Sequence, residues 1–208
     1  MFPLGTVLFP HAAIPLHVFE PRYRQLTEDC LAGDQEFGIV LISRGSEVGG
    51  GDERCPVGTI AHIEIASPFP DGRYALVAEG TRRFSILEWL ADDPYPVALV
   101  AELSAPEEPA DDEALHRAEA AVRHARALFS ELGEAPALVG SLELGEDLEA
   151  ASWRLCALAP LNPYDSQRLL EIDSPVARLE HLNELSTSLA EDLTRLLGEA
   201  GEVGETGE

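Results

Sequence analysis

His62 and Glu64 stand two residues apart, and Cys55 precedes them by a short stretch of the same run. Imidazole, carboxylate and thiol are the donors of a zinc site or of general acid–base chemistry. The pattern goes no further. Three ligand types on one strand, with no second cluster at metal-ligand spacing, read as a solvated strand face. His11 and His17 lie in the opening segment without a serine or cysteine nucleophile motif beside them, so each reads as a turn or packing residue. Cys156 falls between Leu155 and Leu158 and reads as a small core residue. The carboxylate pairs Glu107–Glu108 and Asp111–Asp112 stand in a Pro- and acid-rich stretch where nothing would desolvate them. No GxSxG, HExxH or GxGxxG occurs. No catalytic residue, cofactor site or metal site is expected, and the chain reads as a non-enzyme.

The charge balance sharpens this. There are 38 acidic residues against 14 basic ones, for a formal net charge of −24. Every base is arginine, so these residues contain no P-loop lysine, Ser-Lys dyad or Schiff-base lysine. A surface this negative repels phosphate, which disfavours nucleic acid and anionic membrane as partners. Arg82-Arg83 is the only adjacent basic pair, and Arg117, Arg123 and Arg126 are interleaved with acids, which reads as a salt-bridged face. Cys30, Cys55 and Cys156 are odd in number and form no CxxC pair, so a reducing, cytoplasmic setting is expected. The first arginine is Arg22, so the opening residues do not read as a signal peptide, and no apolar run approaches the ~18–20 residues of a membrane span.

Apolar residues make up 45% of the 208, enough for a real core. The elements that would hold these side chains change character near residue 105. Before it, Thr6 to Phe9 and Pro15 to Phe19 read as strands separated by a Pro10-His11 turn, and Pro21 opens a short helix that Gly33 ends. Phe37 to Ser43 is a continuous apolar run, read as a buried strand. Gly49-Gly50-Gly51 lies in a loop whose acidic neighbours argue against a phosphate cradle. Val57, Thr59, Ala61, Ile63 and Ile65 then share one strand face, Pro70-Asp71-Gly72 signals a turn, and Tyr74, Leu76 and Ala78 alternate back. Gly80 is expected to break that run before Phe84, and Tyr95 to Leu103 to form a last strand, giving six or seven short strands in a small barrel.

After residue 105, Leu115, Ala118, Val122, Ala125 and Phe129 step at helical spacing. A helix from Leu148 to Leu158 is closed by Pro160, Asn162-Pro163 opens another through Glu171, and Ser174-Pro175 opens a last helix expected to end at Gly198. The expected organisation is a β-rich subdomain over residues 1–104, a linker over 105–112, a helical subdomain over 113–198, and a disordered acidic tail over 199–208.

The stretch "FPLGTVLFPHAAIPLHVFEPRYRQL" resembles the start of the Lon protease N-terminal domain, the Lon substrate-binding domain. "PVGTIAHI" and "DGRYALVAEGTRRFSI" resemble the middle of its β portion, and "LCALAPLNPYDSQRLLEIDSPVARLEHL" its helical portion. The resemblance runs over about residues 2 to 198. It implies an α+β fold: an N-terminal PUA-like β pseudo-barrel with a short helix, followed by a C-terminal α-helical bundle. In the family this domain precedes an ATPase and a Ser-Lys protease and takes part in recognising substrate proteins. The present residues look like a stand-alone bacterial member. One departure is visible: the family's Phe-Pro-Gly turn reads Phe9-Pro10-His11 here, and histidine tolerates positive φ less well than glycine.

The expected function is a non-catalytic protein-binding module for unfolded or client polypeptides, acting as an adaptor or regulator of proteolysis, with a full-length Lon among its partners. Val7, Phe9, Ile14, Leu16 and Phe19 are expected in the barrel core, Arg22 is expected to pair with a carboxylate and fix the strand-to-helix corner, and Trp89, Tyr95 and Trp153 are the candidate partner-binding anchors. The alternative is a small-molecule or RNA-binding PUA-like module, against which the charge of −24 argues as far as RNA is concerned.

Overall fold

The computed structural model describes residues 1–45, 53–104, 111–133 and 144–205. The glycine triplet, Glu107–Glu108 and most of the expected linker lie outside them. The chain divides into two compact units, Met1–Ala105 with Ser166–Glu171, and Pro106–Asp165 with Ile172–Glu208.

In the first unit six strands form one mixed sheet: β1 (Phe2–Leu4), β2 (Ala13–Val18), β3 (Glu36–Arg44), β4 (Glu53–Pro68), β5 (Tyr74–Trp89) and β6 (Ala98–Glu102). The order is β1-β3-β4-β5-β2, with β6 also on β5. Only β1 and β3 run parallel; the other pairs are antiparallel. Between β2 and β3 lies α1 (Pro21–Ala32), with Pro21 in its first turn and Gly33 at its C-cap. Tyr23, Leu26, Thr27 and Cys30 recur at helical spacing and are buried. They close over Phe2, Leu16, Val18, Phe37, Ile39 and Ile63, and Phe2 stacks on Tyr23 with centroids 4.2 Å apart. Arg22 fixes the corner before the helix: its Nε donates to Glu20 Oε2 at 3.0 Å.

Thr6 to Phe9, expected as a strand, is irregular, and the first strand is Phe2–Leu4 instead. The reason lies in the turn that follows. His11 has φ +58°, the left-handed region. With that turn in place, the Leu8 carbonyl accepts from the buried Thr59 hydroxyl at 2.6 Å rather than from a strand partner. Gly80, expected as a breaker, stays inside β5. A side chain there would stand on the Phe9 carbonyl oxygen, and the Gly80 backbone clasps the turn, accepting from His11 N at 2.7 Å and donating to the Ala12 carbonyl at 2.9 Å. Glycine is thus required for close approach, and β4 and β5 run 16 residues each. The hairpin joining them turns at Gly72, φ +83°, as the Pro-Asp-Gly signal predicts.

Within this unit Ser166–Glu171 docks on the sheet: Arg83, 4% exposed, donates to the Leu170 carbonyl at 2.8 Å, and Gln167 Nε2 donates to the Val57 carbonyl at 3.1 Å.

The second unit holds α2 (Asp112–Glu131), α3 (Leu148–Leu158), the start of α4 (Pro163–Glu171) and α5 (Pro175–Glu205). Asp111 and Asp112, read as a linker pair, are the cap and first residue of α2, and the Asp111 carboxylate accepts from Ala114 N at 2.9 Å. Asn162 caps α4 and Ser174 caps α5, as their Asn-Pro and Ser-Pro steps predict. The apolar stripes of α2, α3 and α5 meet, with Val122, Leu155, Leu179 and Leu182 fully buried. Arg178 is buried among them, its guanidinium 3.4 Å above the Trp153 ring and donating to Ser152 Oγ at 2.8 Å. α5 does not stop at Gly198 but continues to Glu205. One glycine costs a helix about 1 kcal/mol, which the unbroken hydrogen-bond ladder on either side offsets. Residues 206–208 of the expected tail lie outside the described residues.

Two stability predictions follow from these contacts. His11→Gly relieves the left-handed φ and should stabilise the fold by about 0.5–1 kcal/mol, whereas Gly80→Ala should cost about 1–3 kcal/mol by pressing on the Phe9 carbonyl; urea unfolding should show midpoints moving in opposite directions. Arg178→Ala should cost about 3 kcal/mol or more, and Arg178→Lys should recover little of it, because an ammonium cannot both lie flat on Trp153 and reach Ser152.

Candidate functional site

Alternation along β4 places Ile65 on the core face with Ile63, yet Ile63 is 2% exposed and Ile65 55%. The register accounts for it: Ile63 sits opposite Ala78 and Ile65 opposite Val77, so Glu64 is one residue more than β5 supplies. Such a bulge changes the parity of the strand beyond it. Ile65 is therefore turned outward. Phe19, expected in the core, follows the last residue of β2 and is 52% exposed; Phe69, at the hairpin tip, is 41% exposed.

These side chains gather around His17. Its ring lies 6.0 Å from Phe69, nearly edge-on at 74°, and 6.2 Å from Phe19. Arg73 covers the Phe69 ring at 5.6 Å and is itself paired with Asp71 at 2.7 Å. The outer face of β2, β5 and β4 forms a hollow of about 560 Å³ here, lined by His17, Ile65, Phe69 and Val77 among others. A second hollow of about 150 Å³ shares Pro15, Leu16 and His17 with it and is lined on its far side by Phe2, Pro3 and Leu4 of β1. Strands from the two ends of the sheet order thus border one space, so the sheet curls round without β1 and β2 pairing. A grouped set of large exposed apolar side chains is the kind of surface that proteins use for docking.

The anchors expected from sequence lie elsewhere. Trp153 is 3% exposed with Arg178 on its face, which makes it core. Trp89 is half-buried and carries the Arg54 guanidinium 4.4 Å above its ring. Tyr95 is half-buried and donates its hydroxyl to Asp29 at 2.7 Å, a bond that pushes its pKa up to about 12 and ties it to α1. An aromatic residue reads the same in sequence whether it stacks on an arginine or on a partner. The usable signal was the glycine at position 80, since glycine inside a strand marks an irregular ladder. β5 has an extra residue at Thr81 beside it, and β4 its own at Glu64.

His62, Glu64 and Cys55 do not assemble into a site. His62 stands opposite Glu36 and Glu79 in the neighbouring strands, and Glu64 is the bulge residue. Burial, then the charge of Glu171, raises the Cys55 thiol pKa. Burial pushes Cys30 up to about 11 and Cys156 up to about 12, so at neutral pH both are thiols, which are poor nucleophiles. Among the described residues no three His, Cys, Asp or Glu side chains group as metal ligands, and no helix is long and apolar enough to cross a membrane.

Comparison with known proteins agrees with this fold. Residues 1–187 match the family model of the ATP-dependent protease La (LON) substrate-binding domain. Lon protease 2 of Herpetosiphon aurantiacus is 30% identical over 188 residues, covering 86% of this chain and 22% of that protein. The chain spans about a fifth of the length of the curated Lon proteases that match most of it. The crystal structure of a Lon N-terminal domain protein from Xanthomonas campestris superposes with a TM-score of 0.61 at 31% identity, covering 87% of this chain and 94% of that one. The N-terminal domain of a Mycobacterium avium complex Lon protease shares the fold at a TM-score of 0.55 and 19% identity, covering 89% and 96%. This chain belongs to the Lon substrate-binding domain family.

Proposed function

We propose that the chain is a protein-binding module that takes up exposed apolar segments of other polypeptides at the surface around His17, Phe19, Ile65 and Phe69. One observation carries the reading: three large apolar side chains, each 41–55% exposed, stand around two hollows that share His17, Ile65 and Phe69 on the one of about 560 Å³ and Phe19 on the one of about 150 Å³. Leaving them in water is costly unless something covers them, since burying such a side chain fully contributes roughly 1.5–3 kcal/mol. Membership of a family described by substrate binding supports a polypeptide as the cover.

The module is non-catalytic in this reading. The absence of lysine from the 208 residues and the protonated state of Cys30 and Cys156 support that. The charge of −24 supports excluding nucleic acid and anionic membrane. We further read the first unit as a PUA-like pseudo-barrel, the second as a helical bundle, and the chain as a bacterial cytoplasmic adaptor or regulator of proteolysis that meets a full-length Lon. Trp89 and Tyr95 are secondary contacts at most, because each already has an intramolecular partner on one side.

The test uses labelled lysozyme as probe, folded or permanently unfolded by reduction and carbamidomethylation, so that charge is held nearly constant. Fluorescence anisotropy should show binding of the unfolded form only. Combining Phe19→Ser, Ile65→Ser and Phe69→Ser should weaken it about tenfold or more, with the melting temperature unchanged. Equal affinity for folded and unfolded probe, or indifference to the triple variant, would reject the reading.

A further inference from the structure

The two hollows share Pro15, Leu16 and His17, and all three belong to β2. β2 ends the strand order, and among the described residues β5 is the one strand that pairs with it. Its other edge faces the space bordered by β1. Pro15, opposite Val77, has no N–H, so that pair can only be a non-hydrogen-bonded one, in which both residues direct their backbone groups away from each other. Antiparallel alternation then gives Ala13 and His17 the same sense. The open edge of β2 therefore presents the N–H and C=O of Ala13 and His17, with the Pro15 carbonyl between them.

We infer that the ligand of this surface is an extended segment that adds as a strand along the free edge of β2, apolar over about five residues and flanked by basic ones. Its backbone pairs with Ala13, Pro15 and His17. Its side chains alternate, as strand side chains must, so that one set enters the hollow bordered by Phe2 and Leu4 and the other lies toward Phe69 and Ile65. Basic flanks follow from charge: a chain with 38 acids and 14 bases attracts cationic segments and repels acidic ones. Pro15 interrupts the row of donors, which limits pairing by arbitrary strands and favours a segment carried in register. A helix does not match this site, because its amides are already bonded internally and would leave the β2 edge unpaired.

This rests on the protein-binding reading above, and the experiment separates the two. The probe is a capped, fluorescent peptide of alternating Phe and Val flanked by lysines, with a glutamate-flanked copy and two further copies N-methylated on alternate central amides, one odd-numbered set and one even-numbered. Strand addition requires that only one methylated set lose affinity, by tenfold or more, and that the glutamate-flanked copy bind at least tenfold more weakly at low salt. Loss with both sets would assign a helical ligand, and loss with neither would assign docking by side chains alone. Each overturns the strand while leaving the unfolded-lysozyme result standing. Failure of every peptide, with unfolded lysozyme still bound, also overturns it. A concentration-dependent dimer in sedimentation velocity that the lysine-flanked peptide does not disperse would give the edge to a second copy, with the same consequence.

Discussion

The clasp between Gly80 and the Phe9-Pro10-His11 turn sets where everything after it in the chain must go. Two backbone hydrogen bonds, His11 N to the Gly80 carbonyl and Gly80 N to the Ala12 carbonyl, hold the turn against β5 at a point where no side chain would fit. β2 leaves that point already in register, with Ala13 opposite Glu79, and runs on until His17 is opposite Ala75. The register decides that Leu16 and Val18 go inward while His17 stays out, and it delivers Phe19 to the surface beside the hairpin tip. The strained φ of His11 is tolerated because the surrounding bonds over-determine it.

Local signals were legible in the sequence, and tertiary ones were not. Asn162-Pro163 and Ser174-Pro175 mark helix starts correctly because a cap bonds within its own turn. The Pro70-Asp71-Gly72 turn is legible for the same reason. Gly80 misleads because its purpose is a carbonyl about seventy residues earlier in the chain. The surface around His17 was hidden by parity: Ile65 belongs to a faultless alternation, and only the count of residues across the β4–β5 ladder turns it outward. Trp153, a candidate anchor by residue type alone, is core, and nothing nearby in sequence announces the Arg178 guanidinium on its face. Phe19 continues the apolar run in sequence, and no local residue signals that its strand ends at Val18.

Arginine is the sole base of the chain, and several of its positions use what lysine lacks. Arg82 reaches both carboxylate oxygens of Glu36 at 2.7 Å and also holds Glu102 at 3.0 Å, linking β3, β5 and β6. Arg83 and Arg178 are buried, and the planar, weakly hydrated guanidinium is the cation that survives such burial. Arg126 donates to the carbonyl of Leu158 at the end of α3. In a molecule with so large an excess of acids, the scarce cations are committed to holding elements together, which leaves the outer surface to the negative charge.

The bulge at Glu64 makes the exposed surface depend on a length rather than on a residue identity. Substitutions at Ile65 or Phe69 trim it by degrees. One residue inserted in β5 between Val77 and Ala78 would do something different in kind: Glu64 would gain a partner, regular alternation would resume, Ile65 would swing to the interior face beside Ile63, and Ala66 would take its place outside. A lineage that kept every apolar residue could thus gain or lose this face in one indel, and a comparison made by residue similarity alone would score the two forms as nearly the same.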